Sequence, residues 1–173
     1  DVYLAVVGAG PLGLEAAALA RRRGYRVTVF ERQEAIGGDW LRWGNPWSKL
    51  QSHRDGYLLA GPVEVPGEAE LPAYPCREQM LEYFRTYASV AGLSGHIRFN
   101  CKVTRRSAVQ ANGLLSLFFE ENGGTEESVE VTHVFAAPGR VNLRRELRFP
   151  GEADFGGLVA WGSGQDLVGC PLT

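Results

Sequence analysis

The chain has 173 residues, 45% of them apolar and 22% charged, the composition of a soluble globular domain with a sizeable core. Eighteen basic and twenty acidic residues leave a formal charge of −2, which gives no reason to expect nucleic acid or an anionic membrane as partner. The three cysteines, Cys76, Cys101 and Cys170, form no CxxC or Cys/His cluster, so neither a metal site nor a disulfide framework is expected, and reduced thiols fit a cytoplasmic protein. No apolar run approaches a membrane span, and no signal peptide opens the chain. The start at Asp1, with a strand already under way by residue 3, reads as an excised domain.

The elements follow in order. The apolar run VYLAVV (2–7), ending in glycine, predicts a central parallel strand. Residues 11–23 carry a helical apolar face (Leu12, Leu14, Ala17, Ala18, Leu19) and close on Arg21, Arg22 and Arg23 before Gly24. Basic residues there complement the helix dipole, so these arginines read as a helix terminus rather than a binding patch. RVTVFE (26–31) is a second strand, completing a β-α-β unit. Residues 32–75 lack periodicity and hold Trp40, Trp43 and Trp47, a long excursion of the kind that is usually functional. Residues 77–91 predict an amphipathic helix on Met80, Leu81, Phe84, Tyr87 and Ala88, and HIRFN (96–100) a strand. Segments 101–109, 114–121 and 128–136 predict an antiparallel meander with an Asn-Gly-Gly turn at 122–124. Its end, VTHVFAAPG (131–139), returns to the parent sheet, and loop-like residues lead on to LVAW (158–161). The expected fold is therefore α/β, a Rossmann-like three-layer domain with an antiparallel β-meander inserted at about 101–130.

The chemistry begins at Gly8-Ala9-Gly10-Pro11-Leu12-Gly13, a GxGxxG string between strand and helix. Gly8 permits the tight turn, Gly10 lets backbone approach a diphosphate, and Gly13 lets helix pack on strand. The diphosphate would sit at the positive helix N-terminus. Glu31 closes the second strand at the distance expected of a ribose-hydroxyl acceptor, and its charge disfavours a 2′-phosphate, leaving FAD or NAD as the first nucleotide. Arg32 either covers the adenine or is a solvated surface residue. Gly37-Gly38-Asp39-Trp40 brings a further loop towards the diphosphate and ribityl chain, and a ribityl chain belongs to FAD alone.

At this point the sequence resembles the flavin-containing monooxygenase family in its broad sense, which includes Baeyer–Villiger and N-hydroxylating members. The resemblance rests on residues 8–40 together with LQSHRDGY (50–57), YPCREQMLEYFRTYA (74–88), IRFNCKV (97–103) and VFAAPG (134–139). It implies an FAD-binding domain of an NADPH-dependent enzyme that oxygenates a small nucleophilic or carbonyl substrate with molecular oxygen through a C4a-(hydro)peroxyflavin. NADPH would be held by a domain beyond this chain, with residues 140–173 as the linker towards it. By position, Gln51 stands near the flavin's reactive face, a weak catalytic candidate whose alternative is an ordinary loop residue. Trp40 and Val103 would flank the ring system and the adenine, or else be plain core. Ala137 would face the cofactor as well.

Two departures bear on that expectation. Ala137-Pro138-Gly139 replaces the family's Ala-Thr-Gly, and proline has no amide hydrogen to donate. Trp161 stands where the linker fingerprint has histidine, and Gly162-Ser163-Gly164 does not amount to a second dinucleotide motif. GxSxG, HExxH, the Walker lysine and a CxxxxC after the glycine pair are all absent. Of the three histidines, His96 and His133 read as structural, and only His53, beside Gln51, as near a flavin. The rival readings are an oxidase or reductase sharing the β-α-β unit, and a degenerate FAD-binding module without catalysis.

Overall fold

The structure, a computed structural model, describes residues 1–139 and 147–160. Strand β1 (Tyr3–Val7), helix α1 (Pro11–Arg22) and strand β2 (Arg26–Phe30) form the opening unit, with β1 and β2 paired in parallel from Tyr3↔Arg26 to Val7↔Phe30. A single helical turn, α2 (Asp39–Arg42), and the long helix α3 (Arg77–Val90) follow. Strand β3 is only Ile97–Arg98, shorter than the predicted five residues because the chain turns at Asn100 (φ 51°) into the next sheet. Strands β4 (Cys101–Arg106), β5 (Leu115–Glu121) and β6 (Glu126–Val131) form the antiparallel meander, and β7 (His133–Ala136) returns to pair in parallel with β1. The predicted last meander segment, 128–136, and the predicted returning strand, 131–139, are therefore two strands that hand over at Thr132.

The parallel sheet has the order β3-β2-β1-β7. Period-two alternation along β1 and β2 explains why both of its faces are buried. Val6, Val27 and Val29 pack against Leu14, Ala17 and Ala18 of α1 and Met80, Phe84 and Tyr87 of α3. Ala5 and Phe30 face the other way, onto Cys101, Leu115, Leu117, Phe119 and Val131 of the meander. The three layers are thus helices, parallel sheet and antiparallel sheet. The ends of the circuit are clasped where Tyr3 N–H donates to Thr132 Oγ1 (2.8 Å) and Thr132 Oγ1 donates to Tyr3 O (2.9 Å).

The excursion at 32–75 is pinned by single bonds rather than regular elements. Leu50 N–H donates to Pro75 O, Arg54 N–H to Ala73 O, and Leu59 N–H to the Tyr83 hydroxyl. Tyr87, the next tyrosine on that helix face, has a buried hydroxyl with no hydrogen-bond partner among the described residues, and burial pushes its pKa up to about 12. Removing a buried, unpaired hydroxyl while keeping the ring removes only a desolvation cost of about 1 kcal/mol. Tyr87→Phe is therefore expected to raise the melting temperature by about 2–4 °C. A fall on calorimetric melting would show that the hydroxyl is paired after all.

Residues 158–160 have no regular structure, and Leu158 and Val159 are exposed. Trp161, Gly162-Ser163-Gly164 and Cys170 lie outside the described residues, as does most of the predicted linker. Among the described residues no helix is long and apolar enough to cross a membrane, and no cluster of histidine, cysteine and carboxylates forms a metal site.

Candidate functional site: a cleft at the end of the central strand

The chain leaves β1 on one side towards β2 and returns on its other side at β7, so strand order reverses at β1. A crevice at the carboxyl end of that strand is where ligands bind in open α/β sheets. There the structure has a cavity of about 570 Å³, within the usual range of small-molecule sites. It is lined by Val7, Gly8, Gly10, Pro11, Leu12 and Gly13 as a floor, by Glu31 and Arg32, and by Trp40 and Tyr57 as an aromatic wall.

The floor is built by backbone approaching backbone. A Cβ on Gly13 would lie 1.9 Å from the Gly8 carbonyl oxygen, so only glycine lets α1 sit this close to the turn after β1. Pro11 occupies the first helical turn, no side chain caps the helix, and that turn holds no acidic residue. The positive N-terminus of α1 is thus not neutralised from within the helix, which suits an anionic group. Gly38, at φ 54°, lies against Gly10: a Cβ on it would be 2.9 Å from the Gly10 Cα. Gly37 N–H donates to Ala9 O (3.2 Å), which fastens the second glycine loop to the first.

Glu31 is 4% exposed, and each of its carboxylate oxygens already accepts one backbone bond. Ala9 N–H donates to Oε2 (2.6 Å) and Gln33 N–H to Oε1 (2.8 Å). Besides facing the cavity, the carboxylate therefore ties the glycine turn to the end of β2, a role that spacing alone does not reveal. Charge-assisted bonds of this kind hold the turn in one conformation before any ligand arrives.

Of the residues singled out from sequence, Gly8, Gly10, Pro11, Leu12, Gly13, Glu31, Arg32, Gly38, Asp39, Trp40, Val103 and Ala137 all line this one cavity. Val103 both lines it and packs on the meander core. Trp40 donates from Nε1 to the Tyr57 hydroxyl (2.7 Å), their rings edge-on at 5.9 Å. Arg77, at the start of α3, holds this wall in place by donating to Trp40 O (2.9 Å) and Leu41 O (3.3 Å).

Two residues singled out from sequence lie outside the lining of this cavity. Gln51 is exposed and is not part of the cavity wall, because the backbone at Leu50 and Arg54 is bonded to the 73–75 segment and follows it. His53 is also exposed; its Nδ1 accepts from Asp55 N–H at the 3-10 turn Arg54–Gly56, and its ring lies against Tyr74. Pro138 does line the cavity, and the preceding amide is already committed, Ala137 N–H donating to Val7 O (2.9 Å). His96 meets its structural expectation by bonding Arg21 and Val27 O, and His133 by bonding Thr132 Oγ1. Sequence reasoning missed Gln33, Arg42, Tyr57 and Lys102 on the cavity wall. Of these, Tyr57 lay within the LQSHRDGY string and Lys102 within IRFNCKV, so both were within reach.

Fold and cleft together define a Rossmann-like dinucleotide-binding domain, and residues 6–83 match the family model described as an NAD(P)-binding Rossmann-like domain. Beyond that domain, the chain is similar to flavin-containing monooxygenases in the broad sense of that family. It is 30% identical over 168 residues to indole-3-pyruvate monooxygenase YUCCA1 of Oryza sativa subsp. japonica, a match covering 95% of this chain and 39% of that protein. It is 28% identical over 164 residues to flavin-containing monooxygenase 5 of Cavia porcellus, covering 89% of this chain and 31% of that protein. Among solved structures, OTEMO in complex with FAD and NADP superposes with a TM-score of 0.71 at 25% identity, over 90% of this chain and 29% of that one. Oxidized steroid monooxygenase bound to NADP gives 0.66 at 25% identity, over 80% of this chain and 26% of that one. The chain thus spans well under half the length of the relatives it matches.

Proposed function

We propose that this chain is the FAD-binding part of an NADPH-dependent flavin monooxygenase that inserts one atom of molecular oxygen into a small nucleophilic or carbonyl substrate. The observation that carries the reading is that one cavity is lined by Glu31 and Arg32, by the glycine floor and by the Trp40–Tyr57 pair. That set of surfaces suits adenosine, a diphosphate and an extended aromatic ring system. The residues fit the group: glycines where a Cβ would collide, a helix N-terminus for the diphosphate, and apolar walls for the rings.

A bound flavin would supply the redox chemistry, taking a hydride from NADPH and passing electrons to O₂; one oxygen atom goes to the substrate and the other leaves as water. This chain's own residues bind, orient and keep water from that chemistry. We assign the NADPH site, and residues that choose the substrate, to parts of the parent protein beyond the matched stretch, with 1–173 as one domain and 140–173 as its linker. No residue of this chain is nominated as catalytic acid or base.

The test is turnover by the parent protein. NADPH- and O₂-dependent formation of a product carrying one oxygen atom from O₂ is expected. Flavin reduction followed only by release of hydrogen peroxide would replace this reading with an oxidase or reductase. A purified protein that stays colourless in excess FAD would mean a degenerate module.

A further inference from the structure

We infer that Arg42 is a ligand-binding residue of this cleft and that its guanidinium pairs with the diphosphate of the bound dinucleotide. The inference rests on the dinucleotide reading above and extends it to a residue outside the glycine motif. Arg42 lines the cavity, yet its Nη1 is buried with no hydrogen-bond partner among the described residues. Its guanidinium stacks over the Trp43 ring at 4.4 Å, which covers a face of the group but satisfies none of its N–H donors.

Position supports the assignment. Arg42 N–H donates to Gly38 O (3.0 Å), so the arginine rises one helical turn above the glycine that lies against Gly10. It therefore stands over the part of the floor that suits a diphosphate. The surrounding charge also asks for an anion. Burial is the main influence lowering the Arg42 pKa, the positive charge of Arg32 lowers it further, and Asp39 only partly opposes them. Glu31, the buried carboxylate of this cleft, is engaged by two backbone amides. A guanidinium with a desolvated, unpaired N–H is costly to keep, and a phosphate oxygen is the partner its planar fork fits best.

The experiment compares wild type, R42Q and R42K by equilibrium titration with ADP, FAD, adenosine and riboflavin, alongside melting of the ligand-free chains. R42Q is expected to bind ADP and FAD at least tenfold more weakly than wild type, with riboflavin unchanged and R42K in between. Ligand-free R42Q is expected to melt within about 2 °C of wild type, because losing the buried Nη1 donor, which has no hydrogen-bond partner among the described residues, offsets the lost Trp43 stacking. Loss of a residue needed only for structure would lower the melting temperature further. R42Q binding ADP within twofold of wild type overturns the inference, and so does a loss confined to riboflavin, which would place Arg42 at the ring system. Should R42Q fail to fold, wild type still decides: equal affinity for adenosine and ADP means that no residue meets the diphosphate charge. A wild-type chain that binds ADP but not FAD overturns the flavin reading alone and leaves Arg42 to be judged with ADP.

Discussion

Gly13→Ala is expected to abolish dinucleotide uptake and to destabilise the domain by about 3 kcal/mol, the upper end of the cost of overpacking. The added Cβ would lie 1.9 Å from the Gly8 carbonyl oxygen, which is backbone and has no rotamer to yield. Relief requires α1 to move off β1 or the Gly8 turn to open. Either movement spoils the cavity floor and the contact of Leu14, Ala17 and Ala18 with Val6, Val27 and Val29. For a chain of this size the loss corresponds to a fall in melting temperature of about 6–12 °C. Gly10→Ala is the control for melting alone, because Gly10 itself lines the cavity floor. Gly10 has an extended backbone with φ −79°, and its Cβ would meet only the Gly38 Cα, at 3.5 Å, an ordinary contact. A Gly13→Ala protein melting within about 2 °C of wild type would show that the helix is not held this close to the turn.

Glu31→Gln should be nearly as damaging despite preserving shape. The carboxylate accepts Ala9 N–H on one oxygen and Gln33 N–H on the other, in a position that is 4% exposed. A carboxamide has one acceptor oxygen and one donor nitrogen, so one of the two amides must face another N–H. The expected cost is about 2–3 kcal/mol, the range for losing a charge-assisted bond and leaving a buried donor unpaired. Because Ala9 lies inside the glycine turn, FAD affinity should fall by at least about tenfold, the factor that 1.4 kcal/mol represents. Urea unfolding and flavin titration of the same variant check both parts. Unchanged unfolding with weakened FAD binding would confine Glu31 to the ribose and remove its structural role.

What the sequence disclosed and what it hid divide along a physical line. Strands and helices whose apolar periodicity is local, such as β1, α1, β2 and α3, are legible because burial of one stripe or both faces is written into consecutive residues. The glycine motif is legible for the same reason, since its spacing is a local backbone requirement. The excursion at 32–75 is different. Its path is set by bonds to distant partners, Arg77 to the Trp40 and Leu41 carbonyls and Leu59 to the Tyr83 hydroxyl. No pattern within the segment announces such contacts, which is why Gln51 was expected at the cavity and Arg42 was not. The handover at Thr132 was blurred because β6 and β7 adjoin without a turn signal between them, while the period-two pattern runs on.

The clasp between Tyr3 and Thr132 also has a consequence for when the binding site comes into being. Central strand β1 emerges first from the ribosome, but its neighbour on one side is β7, about 130 residues later. At synthesis rates of about 5–20 residues per second, the nascent chain waits roughly 6–26 seconds with that edge of β1 unpaired. The glycine floor can form early from β1, α1 and β2, whereas the wall at Ala136–Gly139 closes only when the last strand docks. The cavity is therefore complete only once the last strand has docked, and until then the open edge of β1 is a site for aggregation.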